Sequence, residues 1–157
     1  MKSHALGNKV ELLQLLSEAY EKKTWHGPNL RQSLRGVSAR EAAWRPGSGR
    51  HNIWELTLHA AYWKYAARRH LLSGPRGSFV LEGSNWFQAP VSPTEAAWRR
   101  DREFLDREHR QLYAAVADRR HSRAVQKHAR MIFGVAFHDI YHAGQIRILL
   151  RLQEKSR

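Results

Sequence analysis

The sequence predicts an all-α fold, a four-helix bundle, on three observations. Four long segments place apolar residues at the three- and four-residue spacings of amphipathic helices. Gly and Pro fall between those segments. No segment alternates with the two-residue period of a strand over a useful length. We therefore expect one domain, 1–157, in which two of the connections are long enough to be crossovers.

The first two long helices are predicted at residues 8–23 and 52–72. The first carries one apolar stripe, made of Val10, Leu13, Leu16 and Tyr20. The second begins after Asn52, an N-cap residue, with Glu55 as its expected capping-box partner. Between them, glycines and prolines interrupt the pattern, leaving room for short helices at 29–35 and 39–44.

The other two long helices are predicted at residues 94–117 and 131–153. Thr94 is the expected N-cap of the earlier one, and a loop with three prolines precedes it. Residues 118–130 are basic and show no clear apolar period, so we expect an irregular connection there.

The charge of the chain is strongly positive, with 27 Lys and Arg against 14 Asp and Glu, a net +13. The electrostatic field of so positive a chain favours anionic partners, including nucleic acid. The third long helix, however, interleaves its arginines with acids, which is typical of a solvated face. Nucleic-acid binding is therefore possible but not favoured, and we expect any DNA binding to be weak and salt-dependent.

Several classes of protein are excluded by what the sequence lacks. There is no cysteine, which excludes disulfides, thiolate metal sites and cysteine nucleophiles. No apolar run is long enough to span a membrane, and the first residues do not form a signal peptide. The expected location is the cytoplasm. No Ser lies in a G-x-S-x-G turn, the arrangement of many serine nucleophiles. With neither a cysteine nor a serine nucleophile indicated, we assign no side chain a catalytic role.

Three of the ten histidines form the candidate site. His138 and His142 are four residues apart and therefore share one face of the last helix. His59 lies on the predicted inner stripe of the second long helix. Buried imidazoles need partners, and one metal ion would satisfy all three, although an ordinary core role for each is about equally favoured by the residues alone. His51 and His70, near the ends of the second helix, are interpreted as surface or capping groups.

The donor set of the candidate site consists of three neutral nitrogens. It suits a divalent ion of zinc, nickel, cobalt, iron or manganese, and does not choose between them. Three protein ligands leave a position for water or substrate, as in catalytic sites. The segment from His138 to His142 also matches the zinc-peptidase pattern H-E-x-x-H with Asp139 in place of Glu. We regard this alternative as weak, because Asp is shorter and a downstream third ligand is missing.

The motifs together resemble the DinB-like superfamily of bacterial metal-binding bundles. The resemblance is carried by Ile53-Trp54 leading to His59, and by His138, His142, Gly144 and Gln145 opening an apolar run. It implies an up-down-down-up bundle, a three-histidine metal site and frequent homodimers. Relatives include thiol transferases that use low-molecular-weight thiols, and proteins described as metal-dependent hydrolases.

Three functional hypotheses follow. The first is a metal-dependent enzyme, a thiol S-transferase or a hydrolase acting on a small-molecule substrate, in which the metal activates a bound thiol or water. Tyr141, Trp63 and Arg147 are the nearest candidates for shaping its pocket, although packing and surface roles are favoured for each. The second is a metal-bearing bundle without catalysis. The third is the nucleic-acid-binding protein described above.

Overall fold

The computed structural model describes residues 3–77 and 79–155, and of residues 3–8 and 155 the backbone alone. The described residues form six α-helices and no strand, which confirms the all-α class. The helices are α1 (Ser3–Tyr20), α2 (Leu30–Ser33), α3 (Ala39–Ala43), α4 (Ile53–Leu71), α5 (Glu95–Ala117) and α6 (Ser122–Lys155), with a 3₁₀ turn at Arg119–His121.

The four long helices pack so that each has two of the others as main neighbours. Helix α4 lies against α5 and α6, and α1 lies against the same two helices. The short helices close one end, with α2 packed on α6 and α3 packed on α4 and α5. The up-down-down-up order of the long helices stays a prediction.

Three of the helix starts follow the predicted caps. The side chains of Asn52 and Thr94 accept hydrogen bonds from the backbone N–H groups of Glu55 and Ala97. Ser38 opens α3 with a complete capping box. The predicted capping box at Asn52 is wrong in one respect, because the Glu55 carboxylate is bound by Arg45 and His51 instead.

Helix α6 begins much earlier than the sequence pattern predicts, at Ser122 rather than near Met131. The Asp118 carboxylate accepts the Arg120 N–H at 2.9 Å and so starts a 3₁₀ turn that runs directly into the helix. Val125 is buried and anchors the added turns, while the exposed basic residues around it obscure the apolar period. His138 and His142 therefore lie in the middle of one continuous 34-residue helix.

A polar layer crosses the interior between two apolar clusters. One cluster surrounds Trp54 and Trp98, and the other surrounds Leu112 and Ile132. The layer between them consists of four buried residues, Lys64, Glu108, His109 and Asp139. The Lys64 ammonium and the Asp139 carboxylate form a fully buried ion pair.

Within the described ranges, no helix is both long enough and apolar enough to cross a lipid bilayer.

Candidate metal centre

Two helices bring the predicted histidines together. His59 lies on the buried face of α4, and His138 and His142 lie one turn apart on α6. The His138 Nε2 atom is 3.1 Å from His59 Nε2 and 2.9 Å from His142 Nε2. Among the described residues these three form a group in which one ligand atom from each lies within 4.8 Å of the others, and which could hold a metal ion.

The separations suit shared coordination. Two imidazole nitrogens bound to one zinc ion, each at about 2.0–2.1 Å, lie roughly 3.3 Å apart in tetrahedral geometry. Three facing nitrogens at this spacing are poorly satisfied by one another, because each neutral imidazole has a single N–H to donate. A cation at their centre would accept all three lone pairs.

The far sides of two rings are held by oxygen atoms. The Nδ1–H of His59 donates to the carbonyl oxygen of Asn85 at 2.6 Å. The Nδ1–H of His142 donates to the side-chain oxygen of Gln145, also at 2.6 Å. Such bonds select the tautomer whose Nε2 lone pair faces inward, the arrangement common at metal-bound histidines. The third ring is less constrained, since the buried Nδ1 of His138 has no hydrogen-bond partner.

An indole group competes for one of the inward nitrogens. The Trp63 N–H donates to His59 Nε2 at 3.2 Å. Trp63 is partly exposed at the surface of α4. The same lone pair of His59 can therefore serve the indole or a cation, but not both.

A second indole fixes the plane of His59. Trp86, in the loop after α4, stacks on His59 with 3.8 Å between ring centroids and 6° between planes. On its other face it stacks on His51, at 3.6 Å and 5°. The three rings form one column, so the loop and the start of α4 are packed together at the site.

Burial keeps the three imidazoles neutral. It is the largest cause in each case, lowering the pKa of His59, that of His138 to about 3 and that of His142 to about 4. The charges of neighbouring histidines lower the pKa of each further, while the Gln145 hydrogen bond opposes the shift at His142. Neutral imidazole is the form that binds a metal ion, so the site is prepared for binding at neutral pH.

A cavity of about 450 Å³ lies beside the triad. Its walls contain one histidine of the triad, several polar groups and several apolar side chains. Its lining includes His142, Trp86, His51, Arg50, Tyr141, Gln145, Leu56, Ile148 and Leu149. A small molecule bound here would lie against His142.

His51 was interpreted as a surface or capping group, and its side chain is 47% exposed, but it also lines the cavity. The Nδ1 of His51 lies 2.9 Å from the Glu55 carboxylate, which is itself buried and bound by the Arg45 guanidinium. With Nδ1–H directed to Glu55, Nε2 is the ring nitrogen of His51 that remains available, on a residue that lines the cavity. The spacing of His51 and Glu55, four residues apart at a helix start, was the signal in the sequence.

The remaining candidates are placed apart from the triad or at its edge. Tyr141 and Trp63 lie at the edge, and Tyr141 accepts a hydrogen bond from Gln145 Nε2 at 3.1 Å. Arg147 lines a different, smaller cavity, and His70 is exposed beside His128. Asp139 is committed to Lys64, so it is unavailable as the general base of a peptidase-like motif.

A family model described as the DinB superfamily matches residues 24–146 of the chain. The match includes all three histidines of the triad, the whole of α4 and residues 122–146 of α6. No curated protein and no solved structure matches the chain.

Proposed function

The chain belongs to the DinB superfamily, and we propose that it is a divalent-metal-binding protein that acts on a small molecule. His59, His138 and His142 would hold the ion. The observation that carries the proposal is the approach of three Nε2 atoms to within 4.8 Å of one another. The class of metal follows from the donor set, which is three neutral nitrogens without a thiolate or carboxylate.

The second part of the proposal is catalysis, either transfer of a low-molecular-weight thiol or hydrolysis. A divalent cation in such a site supplies Lewis acidity, which favours the deprotonated form of a thiol or water ligand. The chain itself would bind the small molecule in the cavity beside His142, with Arg50 available to an anionic group and Leu56 and Ile148 to an apolar one.

The proton released on deprotonation needs an acceptor. His51 is oriented for this role, because Glu55 holds its Nδ1–H and Trp86 holds its ring plane. Glu55 is a positioning residue, and its own place is secured by Arg45. We propose His51 as the proton acceptor of the cavity.

The rest of the proposal concerns the order of the helices in the bundle and the location of the protein in the cell. Membership of the superfamily supports an up-down-down-up bundle as a single domain, and the long connections on either side of α4 are consistent with it. We propose a cytoplasmic location, which the lack of cysteines in the sequence supports.

The test is a metal analysis of the purified protein, followed by a screen for turnover with and without thiols. About one divalent ion per chain is expected, as for a single three-ligand site. Turnover that requires both metal and a thiol would select the transferase, and metal-dependent turnover without a thiol would select the hydrolase. Bound metal with no turnover in either screen would favour the non-catalytic bundle. A protein that neither carries nor takes up a divalent ion would contradict the proposal.

A further inference from the structure

We infer that the chain has a second small-molecule site, between α2 and α5, which binds an organic phosphate through three arginines. The site is a cavity of about 570 Å³, a size typical of small-molecule pockets. The arginines are Arg35, Arg99 and Arg102. This cavity shares no lining residue with the cavity beside the triad, so the inference does not depend on the proposed function.

Two helices bring the arginines to one cavity. Arg99 and Arg102 are three residues apart on α5 and therefore share one of its faces. Arg35 directly follows the cap of α2 and lines the cavity from that side. The Trp98 N–H donates to the Val37 carbonyl oxygen at 2.7 Å, and this buried hydrogen bond ties the segment after α2 to α5. The fold therefore fixes the position of the two sides relative to each other.

The acids nearest to the three arginines are engaged elsewhere. Glu21 and Asp106 line the same cavity, but each carboxylate lies 3.3 Å from the guanidinium of Arg31. The Asp106 carboxylate also accepts a hydrogen bond from the Tyr20 hydroxyl. Among the described residues, no ion pair joins any of the three arginines to a carboxylate. Their positive charges are therefore uncompensated by the chain itself.

Arg102 carries an unsatisfied donor. Its Nε atom is buried and has no hydrogen-bond partner among the described residues. Such a group is costly, because the water it lost on burial is not replaced by another acceptor. The guanidinium lies 5.5 Å from the centroid of the Trp98 ring, a cation–π contact that holds it against a fully buried side chain. An oxygen acceptor bound beside Arg102 would satisfy this donor.

The charge and donors of the cavity suit a phosphate group. Three like charges around one recess repel one another, and the walls of a cleft concentrate their field inside it. A phosphate monoester carries about −1.5 to −2 charge at pH 7 and presents three acceptor oxygens. Guanidinium groups match these oxygens with paired N–H donors. A carboxylate, with two oxygens and one charge, would engage fewer of the available donors.

The apolar part of the lining indicates what accompanies the phosphate. Tyr20, Leu34 and Leu105 are buried and line the same cavity. They offer apolar surface to the organic part of a ligand. Inorganic phosphate cannot cover this surface, whereas an aryl or alkyl phosphate can. The expected ligand class is therefore a small organic phosphate.

The experiment is isothermal titration calorimetry of the full chain with phenyl phosphate, at constant ionic strength and after removal of metal by chelation. Saturable binding is expected, with weaker binding of inorganic phosphate and of benzoate. Arg35→Gln and Arg99→Gln should each weaken binding by about 10-fold or more, because each removes a charged hydrogen-bond donor. Both side chains are exposed, so neither substitution disturbs the core. The matched control Arg110→Gln, exposed on α5 but outside the cavity lining, should bind like the wild type.

Glu103 provides a prediction of opposite sign. It lines the cavity, and no ion pair joins it to a cation within the described ranges. Its carboxylate repels an anionic ligand, so Glu103→Gln should strengthen binding, whereas Glu11→Gln, exposed on α1 and outside the lining, should not. Arg99→Lys keeps the charge but loses the planar fork, so its affinity should fall between those of the wild type and Arg99→Gln.

Several results would overturn the inference. Phenyl phosphate that fails to bind, or that binds equally well to Arg35→Gln and Arg99→Gln, would do so. An equal loss in Arg110→Gln would mean that general positive charge accounts for the binding. A single-stranded oligonucleotide that displaces phenyl phosphate at a lower concentration of phosphate groups would identify nucleic acid as the occupant instead. His142→Ala should bind phenyl phosphate like the wild type, and a loss there would place the anion at the metal centre. A failure of the metal proposal would leave the binding unchanged.

Discussion

His109 is buried, as are two of the three triad histidines, with His138 half-buried, yet only the triad is arranged to receive a cation. His109 is 1% exposed and stacks on Tyr20 with 4.0 Å between ring centroids. Neither of its ring nitrogens has a hydrogen-bond partner, and the nearest carboxylate oxygen, on Glu21, is 3.9 Å away. Burial and the charge of Lys64 lower the pKa of His109 to about 2.

The difference between the two regions lies in geometry. A lowered pKa and a buried ring are common to both, so neither property identifies a metal centre. The triad adds convergence of three Nε2 atoms and oxygen acceptors behind two of the rings. In the polar layer a cation is already present, because the Lys64 ammonium lies between Asp139 and the Tyr20 ring.

The largest expected effect is loss of metal on removal of one triad member. His142→Ala should lose most bound metal, because two nitrogens and water make a far weaker site. His109→Ala, although it also removes a buried imidazole, should retain metal, as should the exposed control His70→Ala. Elemental analysis after gel filtration measures this. Equal retention in the His142 and His109 variants would show that the triad is not the site.

The second prediction concerns the stability of the polar layer. Lys64→Met leaves the buried Asp139 carboxylate without its partner, so the free energy of unfolding should fall by about 3–5 kcal/mol. The double variant Lys64→Met/Asp139→Leu should lose less than Lys64→Met alone, because no uncompensated charge remains. Urea denaturation measures both. The exposed ion-pair variant Arg120→Met serves as control and should change little.

The third prediction concerns the support behind the triad. Gln145→Leu removes the acceptor of the His142 Nδ1–H and should weaken metal affinity by about 10–100-fold. Tyr141→Phe breaks only the outer hydrogen bond of Gln145, so it should have a smaller effect. Competition with a chelator of known affinity measures both. An unchanged affinity in Gln145→Leu would mean that packing alone orients His142.

The smallest expected effect is on the pH dependence of stability. Unfolding restores an ordinary pKa near 6.5 to His109, so below that pH the unfolded chain binds a proton that the folded chain excludes. The free energy of unfolding should therefore fall as pH decreases from about 6.5, by up to about 1.4 kcal/mol per pH unit from this residue. His109→Phe should reduce the slope. Urea midpoints of both proteins, stripped of metal, at pH 7 and pH 5 measure the difference, and parallel curves would contradict the assignment.

Much of the fold was predictable because it depends on local signals. The caps at Ser38, Asn52 and Thr94 and the apolar spacing of α4 and α5 are readable within a few residues. The early start of α6 was missed, because its exposed basic residues obscure the period and one buried residue, Val125, holds those turns.

The site was predictable only in part, because some of its contacts are local in the sequence and others are not. His138 and His142 share a face of one helix, a relation that spacing reveals. The partners that complete the site come from elsewhere in the chain: Asn85 and Trp86 lie on a loop, and their contacts with His59 depend on how that loop folds back. His51 was interpreted as a surface or capping group because it lies near the start of the second long helix, and its contacts with Glu55 and Trp86 were not predicted.

The contact between His59 and Asn85 has a consequence for how freely the residue at position 85 can vary. The acceptor is the main-chain carbonyl oxygen, so the hydrogen bond is independent of the side chain at position 85. Replacing Asn85 with many other residues should leave the bond in place, whereas inserting or deleting a residue in the loop would move the carbonyl away. The tolerance of this position to substitution therefore says little about its importance, and the length of the loop is the property that selection can act upon.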